Sequence, residues 1–385
     1  MRVAEPLRIL HAHSGFNLGG KEARAVRLMN LWGDRAMHTI LSAQSDAYGA
    51  RSQIDPALDV RFPDNAPSLQ GWPAPARYAR LARYMQGFDL VLSYNWGAMD
   101  IVMAHRLFSP VTRLPPLVHH EDGFNEDEAR GLNPKRNIFR RLALARAHAL
   151  VVPSTILRGI ARSVWHQPEG RVRLIPNGID VAPYAHLPSD DAIPGFVRSP
   201  GKLVVGTLAG LRRVKNLPRL VQAVAPLSDQ VQLVIVGDGP EREAIAREAA
   251  ALGMEDICMP GFLGEPWRFM GLFDIFALSS DSEQFPISLV EAMAAGLPAI
   301  SSDVGDVKAM VSLENAPFIV RPEADALTVA LQTLCADAAL RARIGPANHV
   351  RVRESFSEDQ MVRAYAALYG QAVGNSSIFH ADLLS

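Results

Sequence analysis

The feature that most constrains this chain is an alternation, sustained over almost its whole length, of short apolar runs with helix-length amphipathic segments. In the first half the runs are 7–12, 38–42, 89–93, 116–119 and 149–153, with helical spacing over 21–31 and 137–147. The second half repeats the pattern with runs at 203–208, 232–236, 275–278, 299–301 and 318–320 and helical spacing over 217–225, 241–252 and 287–295. Buried strands of a parallel sheet wrapped by helices require this pattern. Each half therefore predicts an α/β, doubly wound, Rossmann-like unit that binds ligands at the carboxyl ends of its strands.

Two such units suit 385 residues, which exceed one ordinary domain. The boundary is expected between 176 and 200. Pro176-Asn177-Gly178-Ile179-Asp180 is a turn signal after an apolar run, and 188–200 is rich in Pro, Gly, Ser and Asp. The predicted domains are 1–178 and 179–355. Helical spacing resumes over 359–369, and 371–385 reads as a flexible tail.

The two cysteines, Cys258 and Cys335, stand far apart in no metal or redox spacing, as expected in a reducing cytosol. No secretory pattern is read at the start, and no apolar run reaches the roughly 18 residues of a membrane span. A soluble or peripherally bound cytoplasmic protein is expected. Charge is unevenly divided: residues 1–178 carry 23 Lys and Arg against 15 Asp and Glu, the rest 16 against 25. A basic first half predicts an anionic partner, such as a lipid surface or phosphorylated acceptor. Nucleic acid is not expected, because no nucleic-acid module is present.

The chemistry concentrates in the stretch from Ser279 to Pro298. Glu283 falls in the loop after a predicted strand, and Glu291 lies eight residues on, just over two helical turns. Both acids can point into one crevice, and the free N–H groups near Ile287 and Ser288 make an anion site at the helix start. A helix-dipole carboxylate and a solvated helix charge would explain the same spacing. Against that, Glu291 opens the small-residue run Ala292 to Gly296, a tightly packed place for a casual charge.

Glu283 and Glu291 at that spacing, followed by Ala-Met-Ala-Ala-Gly-Leu-Pro, closely resemble the retaining GT-B glycosyltransferases that use nucleotide sugars (group 1, family 4-like). The similarity extends to Gly19-Gly20-Lys21-Glu22, Asn177-Gly178-Ile179-Asp180, Gly237-Asp238-Gly239-Pro240 and residues 356–369. The resemblance implies two Rossmann-like domains facing across a cleft. The first would bind the acceptor and the second the donor, with a final helix, 356–370, packing back onto the first. It also implies that Glu283 contacts donor-sugar hydroxyls and Glu291 the nucleotide ribose. Gly19, Gly20, Gly237, Gly239, Phe285, Ile287 and Ser288 would line the donor site.

The family often grips the donor pyrophosphate with an Arg and a Lys. Lys215 aligns, but Gly210 takes the usual Arg position, and Arg212 is the candidate to reach the same site. Cations there would stabilise the charge developing on the departing diphosphate, worth ~100–1000-fold in rate. No metal and no cofactor beyond the nucleotide sugar are therefore expected. On the acceptor side the resemblance places a His at a strand end near the reacting carbon. His120 is the first choice, ahead of His119 and Asp122.

The implied function is retaining, metal-independent sugar transfer from a UDP- or GDP-sugar to a saccharide or lipid-linked acceptor, in cell-surface polysaccharide or glycolipid synthesis. A non-hydrolysing sugar-nucleotide epimerase and a non-catalytic binding subunit are the alternatives. Two basic clusters, Arg77, Arg80 and Arg83, and Lys135, Arg136, Arg140, Arg141 and Arg146, have the spacing of helices that lie on anionic membranes.

Overall fold

A computed structural model describes residues 5–44, 46–124, 128, 131–254 and 256–379. It divides into two compact units, Met1–Asn177 with Met361–Ser385, and Gly178–Gln360. The first holds a seven-stranded parallel sheet built from β1 (Leu7–His13), β2 (Ala36–Ser42), β3 (Val60–Arg61), β4 (Leu90–Tyr94), β5 (Leu117–His120), β6 (Ala149–Val152) and β7 (Val172–Leu174), in the order β3-β2-β1-β4-β5-β6-β7. The second holds a six-stranded parallel sheet of β8 (Leu203–Leu208), β9 (Val231–Val236), β10 (Ile257–Gly261), β11 (Ile275–Leu278), β12 (Ala299–Ser302) and β13 (Ile319–Val320), ordered β10-β9-β8-β11-β12-β13.

Apolar residues on successive strand positions feed opposite faces, as the pleat demands. In β9, Val234 and Val236 join one core, and Val231, Leu233 and Ile235 the other. Leu10 and Ala12 of β1 pack on one side of the first sheet and Ile9 on the other. Covering both faces with helices is what makes these strands read as unbroken apolar runs.

Three short strands, β3, β7 and β10, escape the periodicity. Helix Pro134–Ala143 ends earlier than its spacing predicts and passes into a tighter turn, Leu144–Arg146. Helix Ala338–Ser355 carries Pro346 in its interior, which sequence rules treat as a break.

The tail expectation is corrected by the structure. Helix Glu358–Val373 packs Tyr365, Ala366 and Tyr369 into the first unit's core, and Phe379 beyond it is fully buried against Trp32 at 4.5 Å. Phe379 thus anchors the described part of the predicted tail, although Gln371 and residues 374–377 are exposed, and 380–385 lie outside the described residues. Phe356 stays with the second unit, where its ring meets Phe285 at 5.3 Å. No helix among the described residues is long and apolar enough to cross a membrane.

Candidate functional site

In the second unit the strand order reverses between β8 and β11, which are hydrogen-bonded neighbours. Chains leaving their carboxyl ends diverge and open a crevice there. The loop after β8 runs through Arg213–Lys215 to Asn216, which adopts the left-handed conformation at φ 44°. Asn216 Nδ2 donates to Asp281 Oδ1 at 3.1 Å, and Ser279 Oγ donates to the Lys215 carbonyl. The two loops are therefore strapped together. Across them Lys215 Nζ meets Glu283 Oε1 at 2.5 Å, and Ser280 Oγ donates to the same oxygen at 2.7 Å. Gly305, at φ +58°, brings a third loop against Glu283, where a Cβ would stand 2.2 Å from its carbonyl oxygen.

Arg212 is exposed and its side chain folds over Gly210, Nε lying 3.7 Å from where a Cβ at 210 would be. The side chain of the arginine two residues on thus lies against Gly210. Gly237 and Gly239 have a packing reason of their own. Their loop lies so close to the 209–211 segment that a Cβ would meet the Ala209 and Leu211 carbonyl oxygens at 1.9 and 2.6 Å.

Helix Ile287–Ala294 starts without a side-chain cap, leaving the first N–H groups, near Ile287 and Ser288, available to an anion. Phe285 just before it is a core residue, so what it can offer a ligand is backbone. Glu291 keeps part of its surface open, yet burial pushes its carboxyl up to about 7. Burial, and then the nearby Glu291 carboxylate, raise the Tyr184 phenol above its ordinary range.

In the first unit, β1, β4 and β5 end beside one another. Gly19, in extended conformation, caps helix Gly20–Trp32, and Lys21 pairs with Glu22 in its first turn. Arg24 on the same helix is buried. It donates to Asp122 at 2.5 and 2.9 Å and to Asn177 Oδ1 at 2.6 Å. The guanidinium holds the Asp122 carboxyl below its usual range against the opposing effect of burial.

His120 does not present a nitrogen to a ligand in this structure. Its Nδ1 lies 3.1 Å from the Ser93 carbonyl, which only accepts, so Nδ1 carries the proton. Nε2 then accepts from the Tyr369 hydroxyl at 2.7 Å. Burial first, and Arg24 second, lower its pKa to about 3, keeping the ring neutral. The side chain links β5 to helix Glu358–Val373. His119 is fully buried and faces Ser93 Oγ at 2.9 Å. Of the three candidates Asp122 keeps the most open side chain, at 14%.

Two residues of the basic stripes are also corrected. Arg77 is buried, bonded to Asp100 at 2.7 Å and to the Leu69 carbonyl. Arg140 is wholly enclosed, pairing with Glu128 and Glu121 among the rings of Trp96, Phe124 and Trp165. Helical spacing marks a shared face but says nothing of what covers it. Arg80, Arg83, Lys135, Arg141 and Arg146 remain exposed. Arg24 was missed, and the signal for it was its place on the buried stripe with Ala25, Leu28 and Trp32.

Two family profiles match, Glycosyltransferase Family 4 over residues 9–183 and Glycosyl transferases group 1 over residues 190–350. EpsF of Bacillus subtilis (strain 168) is 30% identical over 325 residues, 77% of this chain and 79% of EpsF. The lipopolysaccharide core biosynthesis glycosyltransferase LpsD of Rhizobium meliloti (strain 1021) is 30% identical over 173 residues, 44% of this chain and 50% of that protein. The chain therefore spans most of EpsF but half of LpsD. Among solved structures, Anabaena HepE in complex with UDP aligns at TM-score 0.78 and 21% identity, covering 95% of this chain and 100% of that one. Sucrose-phosphate synthase from Thermosynechococcus elongatus aligns at 0.75 and 19%, covering 95% and 99%. At such identities these structures share the GT-B fold.

Proposed function

The chain belongs to the group 1 glycosyltransferases of GT-B architecture, and from that premise we propose that it moves a sugar from a UDP- or GDP-sugar to a saccharide or lipid-linked acceptor. The observation that carries the reading is the Lys215–Glu283 pair at the strand-order reversal, with Arg212 beside Gly210. In the reaction the bond from sugar C1 to the phosphate oxygen breaks and its electrons go to the diphosphate. The acceptor hydroxyl oxygen bonds C1, and its proton passes to the departing diphosphate oxygen. We assign to Lys215, Arg212 and the N–H groups at Ile287 and Ser288 the stabilisation of the negative charge that develops. That is the work a divalent metal does in other transferases, and here we assign it to the protein's cations.

Bound diphosphate would draw Lys215 away from Glu283 and free that carboxylate for sugar hydroxyls. Glu291 would accept from the ribose hydroxyls. On the acceptor side, Asp122 is our candidate to contact a substrate hydroxyl, since both His120 nitrogens are engaged. Retention of configuration follows the resemblance. Synthesis of cell-surface polysaccharide or glycolipid is supported by the roles named for LpsD and for the Escherichia coli relative O-antigen chain mannosyltransferase C, and we propose with it a cytoplasmic location that includes the membrane surface. The UDP bound to HepE favours a uridine donor.

A thermal-shift screen with UDP, GDP and their sugar conjugates tests the donor. A ligand at 100 times its Kd stabilises by about 2.7 kcal/mol. A shift with one base class, lost in Lys215→Ala, is the expected result. No shift with any of them, for protein shown to be folded, would overturn the reading. Analysis of the product then separates transfer from epimerisation.

A further inference from the structure

At the amino edge of the first unit's sheet, the segments entering three adjacent strands converge. Because β5, β6 and β7 are neighbours, residues 112–116, 145–148 and 171 lie side by side, and helix Met99–Phe108 ends among them. Together they line an open cavity of about 790 Å³. Its charged lining is of one sign, Arg106, Arg113, Arg146 and Arg171, with neither Asp nor Glu among the described lining residues, while burial lowers the pKa of His105 and His148, which line it as neutral rings.

The buried arginines Arg24, Arg77 and Arg140 of this unit each have a carboxylate, Asp122, Asp100 and Glu128, whereas the cavity arginines are half-buried (Arg106, Arg171) or exposed (Arg113, Arg146). In the cavity the side chains of Arg106, Arg113 and Arg146 make no hydrogen bond or ion pair among the described residues. Among the described residues Arg171 reaches only a neutral amide, Gln167 Oε1, at 3.0 Å. Ser109 Oγ, shut off from water, also has no partner among the described residues. Arg106 in the last helical turn answers the helix dipole, but that accounts for one cation of four. A concave wall of one sign concentrates field and draws in an ion of the other.

We propose that this cavity binds a phosphate-bearing anion carrying two or more negative charges. Several guanidinium forks suit the oxygens of one phosphate. The volume exceeds a bare phosphate and leaves room for an organic part against Leu114 and Pro115. The site is separate from the candidate substrate residues of the same unit: Leu117, the first residue of β5, lines the cavity, whereas His120 closes the strand's other end. A soluble phosphate ester and a phosphomonoester lipid headgroup share the required chemistry.

The test uses the full chain carrying Lys215→Ala, so that the proposed donor site does not compete. It is titrated by calorimetry with inorganic pyrophosphate at low salt. In parallel it is floated with phosphatidylcholine vesicles with and without phosphatidic acid. Binding to at least one probe is expected, weakened about tenfold or more by Arg113→Glu with Arg146→Glu. Both side chains are exposed, and the milder pair Arg113→Ser with Arg146→Ser serves if charge reversal disturbs the fold. Pyrophosphate binding lost in the variant supports the site and marks a soluble ligand. Flotation with phosphatidic acid lost in the variant supports it and marks a headgroup. Binding to neither probe, or binding that the double variant leaves unchanged, overturns the proposal.

Discussion

Lys215 Nζ and Glu283 Oε1 stand 2.5 Å apart, reached by two loops that leave adjacent strands where the second sheet reverses its order. Each side chain is mostly buried, with 15% and 10% of its surface open. Each therefore neutralises the other until a ligand arrives, and removing either leaves a poorly hydrated charge behind.

Lys215→Ala is expected to lower kcat by ~100–1000-fold, the usual loss when one preorganised donor to a developing anion is removed. Glu283→Gln should also cripple turnover. In a double-mutant cycle the two losses should fall short of additive, because the residues act as a unit. Steady-state kinetics of the three variants decide it. Full additivity would mean that the pair is incidental.

Glu291 gives stability an unusual pH slope. Its carboxyl rises from 4.5 when unfolded to about 7 when folded, so between those values the native state holds the extra proton. Stability contributed by this group is greatest below 4.5 and is lost as pH rises towards 7. Glu291→Gln should flatten that slope. Urea unfolding of both proteins at pH 5 and pH 8 measures it, and equal slopes would show that Glu291 titrates as an ordinary carboxylate.

Arg24 and Asp122 predict the opposite sign. The Asp122 carboxyl is held below its ordinary 3.8, so its contribution is complete above that value and disappears as pH falls through the folded pKa. Arg24→Ala strands a buried carboxylate and should cost about 3–5 kcal/mol at pH 7. The gap between wild type and variant should narrow in acid. A variant as stable as wild type at pH 7 would show that Asp122 is well solvated without its partner.

Phe379→Ala is expected to destabilise the protein by about 3–5 kcal/mol, the cost of emptying a fully buried aromatic site. Denaturant unfolding gives the figure directly. A change within about 0.5 kcal/mol, typical of surface positions, would return this segment to the status of a loose tail.

Much of the candidate site in the second unit was legible from local pattern. Glu283, Ile287 and Ser288 follow a run that can only be a strand, and a helix start presents free N–H groups whatever surrounds it. The candidate residues of the first unit were less legible. A His at a strand end looks reactive until its neighbours are known, and His120 is engaged by Tyr369, which is 249 positions away. The same limit hid the role of Arg24, whose partner Asn177 is 153 positions away and reads in sequence as a turn residue. Pro346 illustrates the reverse error. A local rule ends a helix there, but the structure carries helix Ala338–Ser355 through it.

The sequence by itself determined the fold class and the two units, because strands covered on both faces must be apolar and their helices must be amphipathic at a fixed period. It also marked the loops that hold the candidate site residues, since those loops follow the strands. Tertiary structure alone decided which charges meet and which are hidden. Lys215 meets Glu283, Arg24 meets Asp122, and Arg77 and Arg140 lie inside while Arg80 and Arg83 face water. Spacing along a chain reports which side chains share a face. Strand order and packing determine what lies opposite that face, and desolvation by that neighbour sets the pKa and the availability of each group.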